Sequence, residues 1–521
     1  MSTENQISQE QRFIESITTL PKLQIPSQCH KLKKSKLRLT HQIYYVNHCF
    51  KRLDMVYSLS ILTASYIYER SIPCRKLSKI SVKLARNLIF NTCAKIVEFI
   101  RQIITSPDFI ARHRQHQNDF TRQRKLPFHV LIIFLVNLVR GSYQDELDKF
   151  FKTICRFDVA KRIVSKVALA KARMKLKFEA FVELNRHMVN QFEKHFQPRM
   201  WSGFRLLAID GSTTRLPRTE DIARHFGVWN GRQGAPSPMA RVSQLFDVLN
   251  KISVDAFIKP KNIGERELAA QHMLKVMPTD LILLDRGYPA WWLFNLIISM
   301  DANFCARVSC TKWKVVRKFF RSGLPEKIID VPIHATSVAR CRQMGLDTTA
   351  LKLRLIRIEN DGKVAILITS LIDRQQYPID LFNDLYHKRW PVEEDYKTIK
   401  CRIELQNFSG KSALSVYQDF HAKVFAKNLV WMMAFPVQDL LDNDTSPGKY
   451  QYHINFTQAL SKSKGVIALL FLDAAKLIKR FIADLQNIFQ RTVEPIRPGR
   501  KYPRNHKAKP RRYFLQYKPI C

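Results

Sequence analysis

Two stretches settle how this chain is built: LLAIDGS at residues 206–212 and LILLDRGY at 281–288. Each is a short apolar run that reads as a buried strand, followed by an aspartate and, within two positions, a glycine. A carboxylate at the end of a buried strand costs free energy unless a cation compensates it, and the glycine lets the backbone turn so that something bulky can approach. Either aspartate alone reads first as a turn cap. Two of them in one sheet point to Asp210 and Asp285 as parts of a shared acidic centre. Between the two stretches lie SQLFDVL, ISVDAFI and the helix-like GERELAAQHMLKV, which starts at Gly264 with an acidic first turn. Strand, strand, strand, helix, strand opens a mixed α/β sheet. After a helix at about Ala290 to Ser299, NFCARVS supplies a fifth strand.

A third acid comes from LYHKRWPVEEDYKTIKCRIEL at 385–405, where Pro391 fits the first turn of a helix or a kink. If the helix runs through from Tyr386, then Arg389, Glu393 and Lys400 fall within about 60° of one another, Glu394 lies about 80° to the other side, and Asp395 is opposite. Spacing thus selects Glu393 from three adjacent acids. An exposed helix with i,i+4 ion pairs would explain such a face equally well, were it not for the chemistry of the two aspartates. Hard divalent cations take one or two carboxylates each, and a two-metal phosphoryl-transfer centre needs about three from separate elements. Arg389 and Lys400 would then hold phosphates, the arginine by its fork and the lysine as a point charge.

Charge agrees with a polyanionic partner. The 521 residues carry 86 Lys and Arg against 44 Asp and Glu, a net +42 spread along the whole length, which nucleic-acid phosphates would neutralise. Length alone suggests about three domains. The ten cysteines show no CxxC pairing, and Cys305 and Cys310 lack companions at zinc spacing, so the expectation is reduced thiols in a cytoplasmic protein. No signal peptide opens the sequence, and its longest apolar run, Pro127 to Val139, is too short to cross a bilayer and reads as a buried helix. Residues 40–200 are helical in pattern, with basic clusters at Lys31–Arg38 and Lys161–Lys177. Residues 310–375 read as β-rich, with a hairpin around Asn360, Asp361 and Gly362, and the tail from Glu494 is basic and proline-containing.

Tyr386, Arg389, Glu393 and Lys400, separated by two, three and six residues, reproduce a Y(2)R(3)E(6)K signature. In this the chain resembles the IS4 family of insertion-sequence transposases, of DDE type. IDGST with Asp210, Phe226–Gly227, Ala240–Arg241, Glu265 and DRGY are similar to the family's acidic regions, and the likeness covers about residues 115–510. It implies a ribonuclease H-like mixed-sheet catalytic domain (201–310 and 376–435) interrupted by a β-rich insertion (311–375). An all-helical N-terminal part precedes it (a basic region 1–110, a candidate for DNA-end recognition, and 111–200), and C-terminal helices and a basic tail follow (436–521).

The resemblance further implies that Asp210, Asp285 and Glu393 are catalytic and hold two Mg²⁺ or Mn²⁺ ions, with Tyr386, Arg389, Lys400 and Trp313 contacting DNA. Trp313, inside the insertion, is assigned to stacking on a flipped base. The implied activity is cut-and-paste transposition through a DNA hairpin, on double-stranded terminal repeats and target DNA. It implies a homodimer in the synaptic complex and no membrane, in the bacterial cytoplasm at the nucleoid. An inert end-binding repressor derived from such an enzyme is the competing expectation. Loss of one acid would have argued for it, and all three are present.

Overall fold

The computed structural model describes residues 91–229, 236–360, 362–408, 410–443 and 450–497, all within one compact unit, Leu84–Cys521. The basic cluster at 31–38, most of region 1–110 and the tail beyond 497 lie outside the described residues.

The N-terminal part is helical as the apolar spacing predicts. Residues 91–105 form a helix, followed by α1 (Pro107–His113), α2 (Phe128–Val136), α3 (Tyr143–Cys155), α4 (Lys166–Arg173) and α5 (Glu179–His195). The apolar run of α2 is buried on every face except at His129, which is why it needs no membrane. Among the described residues no helix is long and apolar enough to cross one.

The sheet contains β1 (Arg205–Arg215), β2 (Ser237–Asp247), β3 (Ile252–Pro260), β4 (Asp280–Leu284), β5 (Asn303–Val308), β6 (Glu326–Val331), β7 (Leu351–Asn360) and β8 (Lys363–Thr369). Their spatial order is 3-2-1-4-5-8-7-6, with a two-residue strand, Val228–Trp229, beside β2. β1, β2 and β3 form an antiparallel meander, while β4 and β5 run parallel to β1. The order 3-2-1-4-5 with that strand sense is the ribonuclease H-like arrangement. Helices α6 (Glu220–Phe226), α7 (Glu265–His272), α8 (Trp291–Ser299), α9 (Lys314–Arg321), α10 (Ala335–Gln343), α11 (Leu381–His387), α12 (Pro391–Lys397) and α13 (Ala413–Asp442) cover it.

Alternation along the strands builds two cores. Leu206, Ala208, Leu281 and Leu283 face α11, α12 and α13, whereas Leu207, Ile209, Ile282 and Leu284 face α7 and α8. α13 is buried nearly all round. Its Val416, Phe420 and Val424 close the sheet core, and its Phe425, Leu429 and Met433 belong to the core of the helical part.

Three expectations need correction. The segment 311–375 is not a separate β unit: β8 pairs with β5, so β6–β8 widen the same sheet, and the segment also holds α9 and α10. KVVRKFFR has its apolar residues at i, i+1, i+4 and i+5, a helical spacing that the expectation of a β-rich segment passed over. The boundary at 435/436 falls inside α13, which accommodates a buried Pro436 and runs on to Asp442. Finally, β1 does not stop at Asp210 but continues to Arg215, paired with β2 on that side only.

α13 also carries His421, which burial pushes down to about 3, with Asp255 opposing and Lys259 assisting the shift. The unfolded chain takes up this proton below about pH 6.5 while the folded chain refuses it. The stability it contributes is therefore complete above that pH and declines as pH falls towards 3. Between about pH 7.5 and pH 5 the contribution should shrink by about 2 kcal/mol. Urea titrations at the two pH values should show a smaller difference for His421→Leu than for the wild type; an identical difference would remove His421 from the acid response.

Candidate active site

Parallel register brings the two aspartates together. β1 and β4 pair from Arg205 with Asp280 through Ile209 with Leu284, so the next residue on each is Asp210 and Asp285. Continuing each strand's alternation sends both side chains to the α12 face. Asp285 is set by a tight turn, its Oδ1 accepting from the Gly287 amide at 2.6 Å. Burial pushes the Asp210 carboxyl up to about 6, and the charges of Asp285 and Glu393 add to the rise while the Gly211 amide and Arg389 oppose it. The charges of Asp285 and Glu393 are thus both felt at the Asp210 carboxyl.

Glu393 arrives from across the sheet on α12. The helix does not run through from Tyr386 as the angular count assumed. α11 ends at His387, a turn spans 388–390, and α12 starts at Pro391, whose missing amide and ring forbid the i−4 bond to residue 387. The selection among the three acids nevertheless stands. Glu394 is exposed and bound by Lys397 at 2.5 Å and the Trp390 indole at 3.1 Å, and Asp395 is buried against Lys427. Glu393 accepts from Arg389 Nη2 at 2.5 Å, and Arg389 Nη1 is buried without a hydrogen-bond partner. Tyr396, which sequence reasoning missed, donates its hydroxyl to the Asp210 carbonyl at 2.8 Å and so pins α12 to β1. Its spacing of three from Glu393 was the available signal.

Residues 201–429 match the family model described as the transposase DDE domain. The transposase InsG for insertion sequence element IS4, from Escherichia coli (strain K12), is 24% identical over 416 residues, covering 78% of this chain and 91% of that protein. Over these residues the chain is similar to DDE transposases. A piggyBac transposase synaptic complex with hairpin DNA is similar over 78% of this chain and 87% of its own, at 9% identity and a TM-score of 0.42.

The other predicted site residues are placed as follows. Tyr386 is partly buried against the sheet core with the Arg389 guanidinium 5.8 Å from its ring, and burial pushes its phenol up to about 12. Lys400 sits in a π-helical segment, Thr398–Arg402, and its Nζ donates to Ser212 Oγ and to the Thr213 carbonyl at 2.9 Å, so here it braces β1. Trp313 caps α9 and meets Phe294 edge-on at 5.9 Å, packed against the core behind the sheet. A cleft of about 760 Å³ opens beside Asp285 and Arg389. Arg286, Arg307, Lys312 and His387 rim it, a basic track on the open side of the acids that the sequence did not single out.

Among the described residues no three His, Cys, Asp or Glu side chains already stand as a metal cage. Glu393 is instead paired with Arg389. The donor chemistry still suits a hard cation: all-oxygen ligands from separate elements, one of them a carboxylate whose proton affinity burial raises, with the charges of Asp285 and Glu393 adding to the rise.

Proposed function

We propose that this protein is an IS4-type DDE transposase that cleaves and rejoins DNA at the ends of its own insertion sequence, with Asp210, Asp285 and Glu393 as ligands for two divalent cations. The in-register emergence of Asp210 and Asp285 from adjacent parallel strands, facing Glu393, carries the reading. Bound there, Mg²⁺ or Mn²⁺ supplies Lewis-acid activation of an attacking oxygen and charge stabilisation of the leaving one. For the third ligand to form, Glu393 exchanges its Arg389 partner, and the freed guanidinium turns its fork to a phosphate. Water and then a 3′-hydroxyl act as successive nucleophiles in cut-and-paste transposition through a hairpin. The partners are double-stranded terminal repeats and target DNA, bridged by a homodimer, in the bacterial cytoplasm at the nucleoid. Tyr386 lines the cleft with Arg389 and shapes the approach of the strand.

The basic rim gives a separate test. Arg307 is exposed and faces the cleft, so Arg307→Ala should weaken binding to all DNA sequences alike and lower the slope of log affinity against log salt by about one. Fluorescence anisotropy across a salt series reads this directly. An unchanged slope would take the rim out of the DNA path. The competing reading, an inert end-binding repressor, predicts binding without cleavage, and a cleavage assay on candidate ends with Mg²⁺ or Mn²⁺ separates the two.

A further inference from the structure

Gly211, directly after Asp210, is a gap in β1 through which the far face of the sheet meets the acids. A Cβ at that position would stand 3.2 Å from both the Tyr288 hydroxyl and Glu265 Cγ. Glu265 opens α7, with Oε1 held by Arg241 at 2.6 Å. Its Oε2 lies 3.9 Å from where a Cβ on Gly287 would be, and Asp285 Oδ1 lies 3.8 Å from the same point. Glu265 and Asp285 thus look onto the same small space.

The second observation is Tyr288. It is 2% exposed, and its hydroxyl has no hydrogen-bond partner. Asp210, Glu265 and Asp285 all act on it electrostatically, yet none accepts its proton. A buried hydroxyl left unpaired is costly, and this one stands among three carboxylates, where oxygen held by a bound cation would complete it.

We infer that Glu265 is a fourth carboxylate of the metal centre, fixed by Arg241 through one oxygen and offering the other on the Asp285 side, and that the Tyr288 hydroxyl donates to oxygen held there. The inference rests on the reading of Asp210, Asp285 and Glu393 as a divalent-cation site. Should Glu265 serve only to hold Arg241, glutamine would do equally well, because its carbonyl still accepts from the guanidinium.

The test is calorimetric titration of the full-length chain with MnCl₂ in the absence of DNA, on wild type, Asp285→Ala, Glu265→Gln and Tyr288→Phe, with melting temperatures recorded in EDTA. The expected result is Mn²⁺ affinity lowered about tenfold or more by Glu265→Gln and less strongly by Tyr288→Phe, at melting temperatures close to wild type. Wild-type affinity in Glu265→Gln, alongside loss in Asp285→Ala, overturns the inference and leaves the proposed function standing. A wild-type chain that takes up no Mn²⁺ overturns both. If Glu265→Gln melts early, Tyr288→Phe, which leaves the Arg241 pair intact, decides in its place: wild-type affinity there overturns the inference, and weakened affinity supports it.

Discussion

Asp285→Ala is expected to lower single-turnover cleavage of end-bearing DNA by about a thousandfold or more while leaving DNA binding at or above the wild-type level. The two halves of this expectation have separate causes. Asp285 leaves β4 beside Asp210, and under the proposed two-cation reading its withdrawal would remove a ligand and with it several kcal/mol of transition-state stabilisation, about 1.4 kcal/mol for each factor of ten. Among the described residues the same carboxylate meets no cation, only the Gly287 amide, and it stands in a basic cleft, so its removal should make the surface more attractive to phosphates. Gel-based cleavage and anisotropy on one preparation measure both quantities. Equal cleavage by wild type and variant would sink the catalytic reading, and loss of binding would show that Asp285 shapes the cleft.

The second large effect lies two residues from Glu393. Asp395 receives Lys427 Nζ at 2.6 Å, and the lysine, 1% exposed, also donates to Ser253 Oγ at 2.7 Å. Asp395→Ala strands that ammonium among the side chains of two packed elements and should cost about 3–5 kcal/mol of folding stability. Burial already lowers the lysine's proton affinity, with Asp395 as the principal opposing influence, so part of the cost will be met by proton release. Asp395 Oδ2 is buried with no partner, which makes the pair an imperfectly satisfied one. Replacing both members, Asp395→Leu with Lys427→Met, should therefore recover most of the loss in urea unfolding. A single variant that unfolds at the wild-type midpoint would refute the argument.

Much of this was legible in the amino-acid order, for definite reasons. LLAIDGS and LILLDRGY could be read because strands buried on both faces are continuous apolar runs, and the register of a parallel pair then follows from where each run stops. Glu393 could be told from Glu394 and Asp395 because three consecutive helical residues point in three directions, and the structure gives each a different fate: Arg389, solvent with Lys397, and Lys427. The break at 388–390 and the π-helical turn at 398–402 could not be foreseen from periodicity, which assumes one pitch. That is why Lys400, placed by counting on the catalytic face, braces Ser212 and Thr213. Joining of β6–β8 to the main sheet was equally hidden, since which edge a hairpin chooses depends on contacts far apart in sequence. Tyr288 and Glu265 carried no periodic signal; the resemblance placed Glu265 and DRGY in acidic regions, but that the two side chains meet showed only through the missing side chain of Gly211.

The shared helix α13 has a bearing on which lesions the fold survives. It closes the sheet core with its first turns and the helical core with its later ones, so a frameshift upstream of about residue 412 strips a wall from both at once. A chain cut short there is expected to lose the packing of both cores together, whereas a missense change at Asp210, Asp285 or Glu393, none of which belongs to either core, is expected to leave that packing standing.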